Sequence, residues 1–161
     1  MADPTGQALQ YAGRTYDLSM FQGIQPAGRA LLRADVADPQ APAGAIVTGI
    51  QKLAQRFALL LLTEQGSMPL APLQGSPLMT NLRQGTLRND HDVFVAVAQG
   101  IGVVVPQLRV LQQATDPPDE VLSNVVLDQV MVSGSAVTLF MTLTSAAGTS
   151  RQLILPLQTL P

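Results

Sequence analysis

The chain has 161 residues and a mass of 17.0 kDa, which is the size of one domain with room for an extension. Charged residues make up only 12% of it, about half the usual share, and the formal net charge is −2. Its scattered Lys and Arg residues lack the clustered basic footprint of nucleic-acid-binding proteins, and a chain without cysteine has neither disulfides nor Cys-ligated metals. With 47% apolar residues, general disorder is excluded, and so few charges indicate a surface partly covered by partners.

The N-terminal residues have neither a basic start nor an apolar centre, so no signal peptide is predicted there. The longest apolar helical stretch, 50–62, carries Lys52 and Arg56 and is far shorter than the ~20 residues of a membrane span. We therefore expect a protein made in a cytoplasm, with neither a membrane nor a nucleic acid among its partners.

Residues 1–47 are predicted to form an N-terminal extension, and residues 48–161 the main domain. In the extension, 16–21 and 30–36 are candidate short strands, the second because Leu and Val alternate with charged residues. Two prolines and a glycine at 38–44 are typical of a linker or turn.

A first long helix is predicted after residue 48. Thr48 and Gln51 fit a capping box, in which both side chains satisfy free N–H groups at the start of the helix. Apolar residues recur at helical spacing on one face, and the polar side chains opposite are those of Gln51, Lys52, Gln55 and Arg56. The consecutive leucines 59–62 cover every side of the last turn, so we expect this helix to contact another protein. The predicted interface residues are Ile50, Leu53, Phe57, Leu59, Leu60 and Leu62.

Residues 66–88 are rich in Pro and Gly and are predicted to be a long loop. For the next segment, 92–105, the valines also suit a strand, but Asp90 or Asp92 as N-cap and Pro106 as stop favour a second helix. A short strand is predicted at 108–111.

The C-terminal half is predicted to be an antiparallel meander, with strands at 125–132, 136–145 and 152–157. Pro156 cannot donate a hydrogen bond, which favours an edge position for the last strand. The predicted fold class is α+β, with two main helices packed on a C-terminal antiparallel β-meander that has an open edge strand.

Catalytic or metal-binding chemistry is not indicated by any residue pattern. His91 is the one histidine and is best explained as part of a polar helix start. The two glutamates do not suggest the paired carboxylates of a glycosidase: Glu64 is expected in a capping or interface contact, and Glu120 as a solvated charge in a turn. We expect no enzyme activity, no cofactor and no metal.

The order of these segments resembles one known family. A leucine-rich helix runs into the turn 61–69, followed by a Pro/Gly loop, a second helix with Val105-Pro106-Gln107 at its predicted end, a hairpin and a last strand. This resembles, over 49–157, the small baseplate wedge protein or sheath initiator of contractile phage tails. That family was once labelled tail-lysozyme-like and has relatives in type VI secretion and other contractile injection systems. The family's Glu-Pro-Arg motif keeps only its proline here.

The resemblance implies an assembly role in the virion tail baseplate. Several copies, six by analogy, would form a ring around the tail tube, with tube or hub proteins as further contacts. The first helix would join larger wedge proteins, and Val105, Pro106 and Gln107 would form a turn. Sheath subunits would add a strand to the C-terminal edge, at Gln152, Leu153, Ile154 and Leu155.

Two alternatives stay open. The older family label suggests a peptidoglycan hydrolase, which would be a tail lysozyme. The same apolar helix would also suit an adaptor or chaperone of a secretion apparatus, which leaves its client after assembly.

Overall fold

Over the residues that it describes, the computed structural model of the chain has two long helices, a short helix and a three-stranded antiparallel sheet. It describes Thr15 and residues 17–18, 46–87, 89–134 and 136–158. The helices are α1 (Gly49–Leu62), α2 (Leu78–Arg83) and α3 (Asp90–Leu111). The strands of the sheet are β3 (Leu122–Ser133), β4 (Ala136–Ser145) and β5 (Ser150–Gln158), in the order β3-β4-β5. The predicted α+β class is confirmed at this level.

A two-residue ribbon precedes α1. Its strands β1 (Asp17–Leu18) and β2 (Ile46–Val47) pair antiparallel. β1 falls inside the strand predicted at 16–21. The strand predicted at 30–36 and the linker at 38–44 lie outside the described residues.

The core lies between the helices and one face of the sheet. β4 is the central strand, and alternate side chains along it are buried because successive residues of a strand point to opposite faces. The apolar members of this row share one buried cluster with residues of α1 and α3, and they are Val137, Leu139, Met141 and Leu143. Gly100 lets the two long helices approach, since a Cβ there would lie 3.1 Å from Leu61 Cδ1.

One face of α1 differs from the prediction. Lys52 and Gln55 belong to the predicted polar face, opposite the apolar one, yet both are buried. The β1 segment covers this face, and Gln55 Nε2 donates to the carbonyl oxygen of Leu18 at 2.8 Å. The apolar periodicity located the core face of α1 correctly, but it carried no information about a second cover contributed from the N-terminal extension.

α3 begins and ends elsewhere than predicted. Its N-cap is Asn89, whose side chain accepts from the Asp92 N–H at 2.8 Å, so neither Asp90 nor Asp92 is the cap. The helix also runs through Pro106 to Leu111, so the predicted end at Pro106 and the strand at 108–111 are wrong. Burial of Leu108 in the core, at 0% exposure, offsets the backbone hydrogen bond that the exposed Pro106 cannot make.

α3 is also more apolar than expected. By length and composition it passes the test for a membrane span, with 22 residues and a mean hydropathy of 1.7 over its most apolar window. The expectation that 50–62 is the longest apolar helical stretch is therefore wrong. A third of that window is buried inside the chain, and a single helix of this kind is weak evidence for a membrane span.

The segment 66–88 was predicted as a loop without regular structure, but it contains α2. Leu78 and Leu82 of this helix are buried against the core, which explains why so short a helix forms.

We predict that Pro106→Ala stabilises the chain. Pro106 is exposed inside a continuous helix, and alanine would restore the N–H donor to the Gly102 carbonyl without emptying the core. The free energy of unfolding should rise by about 1 kcal/mol or more, because the helix penalty of proline exceeds its restriction of the unfolded chain. Urea unfolding measures the change. A loss of stability would contradict a helix that continues through Pro106.

Candidate functional site

A buried ion pair lies at the N-terminal end of α1. Lys52 Nζ is 2.9 Å from Glu120 Oε2, and the two residues are 2% and 5% exposed. The Thr15 hydroxyl lies between them, accepting from Lys52 and donating to Glu120. The expectation that Glu120 is a solvated charge is therefore wrong.

The same carboxylate takes over the capping of α1. Thr48 stands at the N-cap but makes no side-chain capping bond, so the predicted capping box with Gln51 does not form. Instead, the Gly49 N–H donates to Glu120 Oε1 at 3.3 Å. A negative charge at this helix end also meets the positive end of the helix dipole.

These contacts set the ionisation of Glu120. Burial raises the pKa of its carboxyl, but hydrogen bonds from Thr15, Lys52 and the Gly49 N–H, together with the Lys52 charge, outweigh burial. The pKa of Glu120 therefore lies below its ordinary value of 4.5. The carboxylate stays charged at neutral pH and ties together the N-terminal segment, α1 and the turn before β3.

A polar clamp fixes the loop between α1 and α2. Gly75 donates its N–H to Gln107 Oε1 at 2.9 Å and accepts from Gln107 Nε2 at 2.9 Å. Ser76 Oγ donates to the Leu61 carbonyl at 2.6 Å, and the Ser76 N–H donates to the Thr63 carbonyl at 2.8 Å. Because Val105, Pro106 and Gln107 are all helical, the predicted turn there does not exist, and Gln107 acts as a clamp instead.

Gly75 is required at the base of this loop. Its φ is +101°, and a Cβ built on it would lie 2.4 Å from the Thr63 carbonyl oxygen. Beside it, Glu64 accepts from the Thr80 hydroxyl at 2.8 Å and pairs with Arg83, so its contacts are to α2 of the same chain.

The predicted interface residues of α1 fall into two groups. Leu53 and Phe57 are buried in the chain's own core. The other four are half-buried; three of them pack against the core, namely Ile50, Leu60 and Leu62, and the fourth is Leu59. The structure thus leaves part of the leucine run facing outward.

The four residues predicted at the C-terminal edge all lie in β5. Leu153 and Leu155 are buried, Gln152 is exposed, and Ile154 is half-buried opposite Phe140 on β4. His91 is exposed in the first turn of α3. Over the described ranges, no three His, Cys, Asp or Glu side chains come together as a metal site would need.

Sequence reasoning missed the ion pair and the clamp. Both join residues far apart in the chain, Lys52 with Glu120 and Gly75 with Gln107, and periodicity does not report such contacts.

No family model, no curated protein and no solved structure matches the chain.

We predict that Glu120→Gln destabilises the chain at neutral pH, because Lys52 would stay buried without its partner. The expected loss is about 3 kcal/mol. Because the folded pKa of Glu120 is lowered, its contribution is fully present above its ordinary pKa of 4.5 and is lost as the pH falls through the folded value. Urea unfolding between pH 7 and pH 3 measures the free energy of unfolding of wild type and variant. The difference between the two should become smaller as the pH falls below 4.5.

Glu64→Gln is the matched control. In its ion pair the side chains of Arg83 and Glu64 are 58% and 26% exposed, so water screens the pair and the loss should stay at about 1 kcal/mol or below. Equal losses for the two variants would contradict the structural role of the buried pair.

We predict that Gly75→Ala costs more stability than Gly66→Ala. Both glycines have positive φ, +101° and +87°, but nothing lies within 4 Å of a Cβ at Gly66. The backbone penalty of about 1 kcal/mol is therefore shared, and only Gly75→Ala adds a clash with Thr63. Equal urea midpoints would show that the loop base is not closed as described.

Proposed function

We propose that the chain is a non-catalytic baseplate component of a contractile phage tail or a related injection machine. In this role it joins larger wedge proteins through α1 and templates the first sheath ring by adding a sheath strand to β5. The observation that carries the proposal is the geometry of β5, supported by the half-buried leucines of α1 and by the segment order noted in the sequence.

β5 has the properties of a strand that accepts a partner. Among the described strands it pairs with β4 alone, and its register with β4 is regular throughout. Apart from Arg151, it carries no charge of the kind that protects free edges. Strand addition to such an edge is a common mode of protein recognition.

Pro156 indicates which residues would pair. A proline is tolerated in an edge strand when its nitrogen faces away from the neighbouring strand. Since alternate residues of an antiparallel strand direct their N–H and C=O groups to opposite sides, Gln152 and Ile154 share the outward orientation of Pro156. These two residues would supply the backbone hydrogen bonds to an added strand.

The opposite edge of the sheet is less suitable. β3 has register irregularities between Leu122 and Asn124 and between Leu127 and Gln129. It also carries Asp128, whose carboxylate accepts from the Thr142 hydroxyl at 2.6 Å. Bulges and charges are the usual means of discouraging edge pairing, so β5 is the favoured edge.

α1 supplies the second proposed contact. Leu59 and Leu62 are only half-buried by the chain itself, so part of their apolar surface is left for a wedge protein. The two glutamates support a non-catalytic role, because Glu64 and Glu120 are held in separate ion pairs with Arg83 and Lys52.

We predict that Ile154→Pro blocks sheath assembly. The change removes an outward N–H and leaves the β4–β5 ladder intact, so the sheet should form while strand addition fails. Electron microscopy of particles assembled with the variant should show tubes with baseplates but no ordered sheath.

Ile154→Thr is the matched control, since it retains the N–H and suits a strand. It should support normal sheaths. Ordered sheath rings on the Ile154→Pro variant would rule out strand addition at β5.

A further inference from the structure

An exposed apolar surface lies far from the ion pair, on the loop between α1 and α2. We call residues 66–74 the apolar loop. Leu70 at its tip is fully exposed, and Leu73 and Met68 are 77% and 44% exposed. Pro69 and Pro72 separate these residues, so nearly the whole tip presents hydrocarbon to solvent.

The backbone of the apolar loop is held by its own hydrogen bonds. The Gly66 N–H donates to the Pro72 carbonyl oxygen at 3.0 Å. The Ala71 N–H donates to the Met68 carbonyl oxygen at 3.1 Å, and the Gln74 N–H to the Ala71 carbonyl oxygen at 3.0 Å. Below these bonds, Gln107 clamps both polar groups of the Gly75 backbone. The two prolines further restrict the chain. The backbone that carries the exposed side chains is therefore held in one conformation.

A fixed loop that keeps large apolar side chains in water is suited to binding. A preorganised segment loses little conformational entropy when it binds, and apolar anchors that fill a pocket dominate the affinity of interfaces. We propose that the apolar loop is a binding element that inserts Leu70, flanked by Met68 and Leu73, into an uncharged apolar cleft of another protein.

The charge distribution identifies the kind of partner. No Asp, Glu, Lys or Arg occurs from residue 65 to 82, and the charges at the two ends of this stretch, Glu64 and Arg83, pair with each other. A charged cleft would form no ion pair with this surface, and its charged groups would lose their hydrating water when the loop bound. The stretch also lacks the basic residues and the Trp or Tyr that hold a loop at a lipid surface, so the occupant is a protein cleft.

This contact is separate from those proposed for α1 and β5, and it does not depend on them. Leu59 and Leu62 lie on α1, and β5 lies in the sheet, whereas the apolar loop is anchored to α3 through Gln107. The loop therefore adds a third surface to the chain.

The test places a photo-crosslinking phenylalanine analogue at position 70 of the full chain, in cells that make its native assembly. Position 115, an exposed residue after α3, serves as the control. We expect one discrete protein adduct from position 70 and none of that size from position 115. The crosslinked peptide should map to an apolar cleft without charged residues.

A second variant separates docking from folding. Leu73→Ser removes an exposed flank without touching the core, so the chain stays folded by circular dichroism while the adduct at position 70 falls at least fivefold. An unchanged yield overturns the proposal. So does an adduct with lipid, with a second copy of the chain, with a charged surface, or no adduct at all. Because sheath assembly is read separately through Ile154→Pro, either proposal can fail alone.

Discussion

The ion pair between Lys52 and Glu120 is the contact on which the arrangement of the chain depends. It joins three parts that are distant in sequence: Thr15 in the N-terminal segment, the first turns of α1, and the turn that leads into β3. A buried pair contributes little net stability compared with apolar residues, but its geometry is exacting, and breaking it leaves an uncompensated charge. Its main consequence is therefore positional: it sets where α1 begins and keeps the β1 segment on its polar face.

The other end of α1 is fixed by a different kind of contact. Ser76 bonds to the carbonyl of Leu61, and Gln107 holds Gly75, so the loop after α1 is fastened to both long helices. With both ends held, α1 is a fixed support that packs against the sheet and against α3. The three proposed binding surfaces are the outer side of its leucine run, the β5 edge and the apolar loop. All three are positioned by this support.

The parts of the structure that follow from local patterns were predictable. The apolar face of α1 and the alternation in β4 and β5 report burial directly, so these elements and the fold class could be predicted from the sequence. The predicted end of α3 at Pro106 was wrong, because the local preference of proline to end a helix was overridden by the burial of Leu108 in the core. The short helix α2 was hidden for a related reason, since its burial depends on contacts with α1 and α3.

The ion pair and the clamp could not be predicted, because each depends on partners brought together only by the complete fold. Glu120 follows two prolines and reads as a solvated turn residue, and Lys52 reads as part of a polar helix face. Nothing local marks either as buried. The domain boundary after residue 47, the partners and the assembly role stay predictions, because they concern residues outside those described or proteins other than this chain.

The proposed function requires that this chain remains part of a finished contractile particle. Mass spectrometry of purified, salt-washed tails or injection particles from the producing cells tests it most directly. We expect its peptides in a fixed ratio to tube and sheath proteins, corresponding to a small ring rather than to the many copies of a sheath. A chain abundant in the cell lysate and absent from the washed particles would contradict the claim and indicate an adaptor that leaves after assembly.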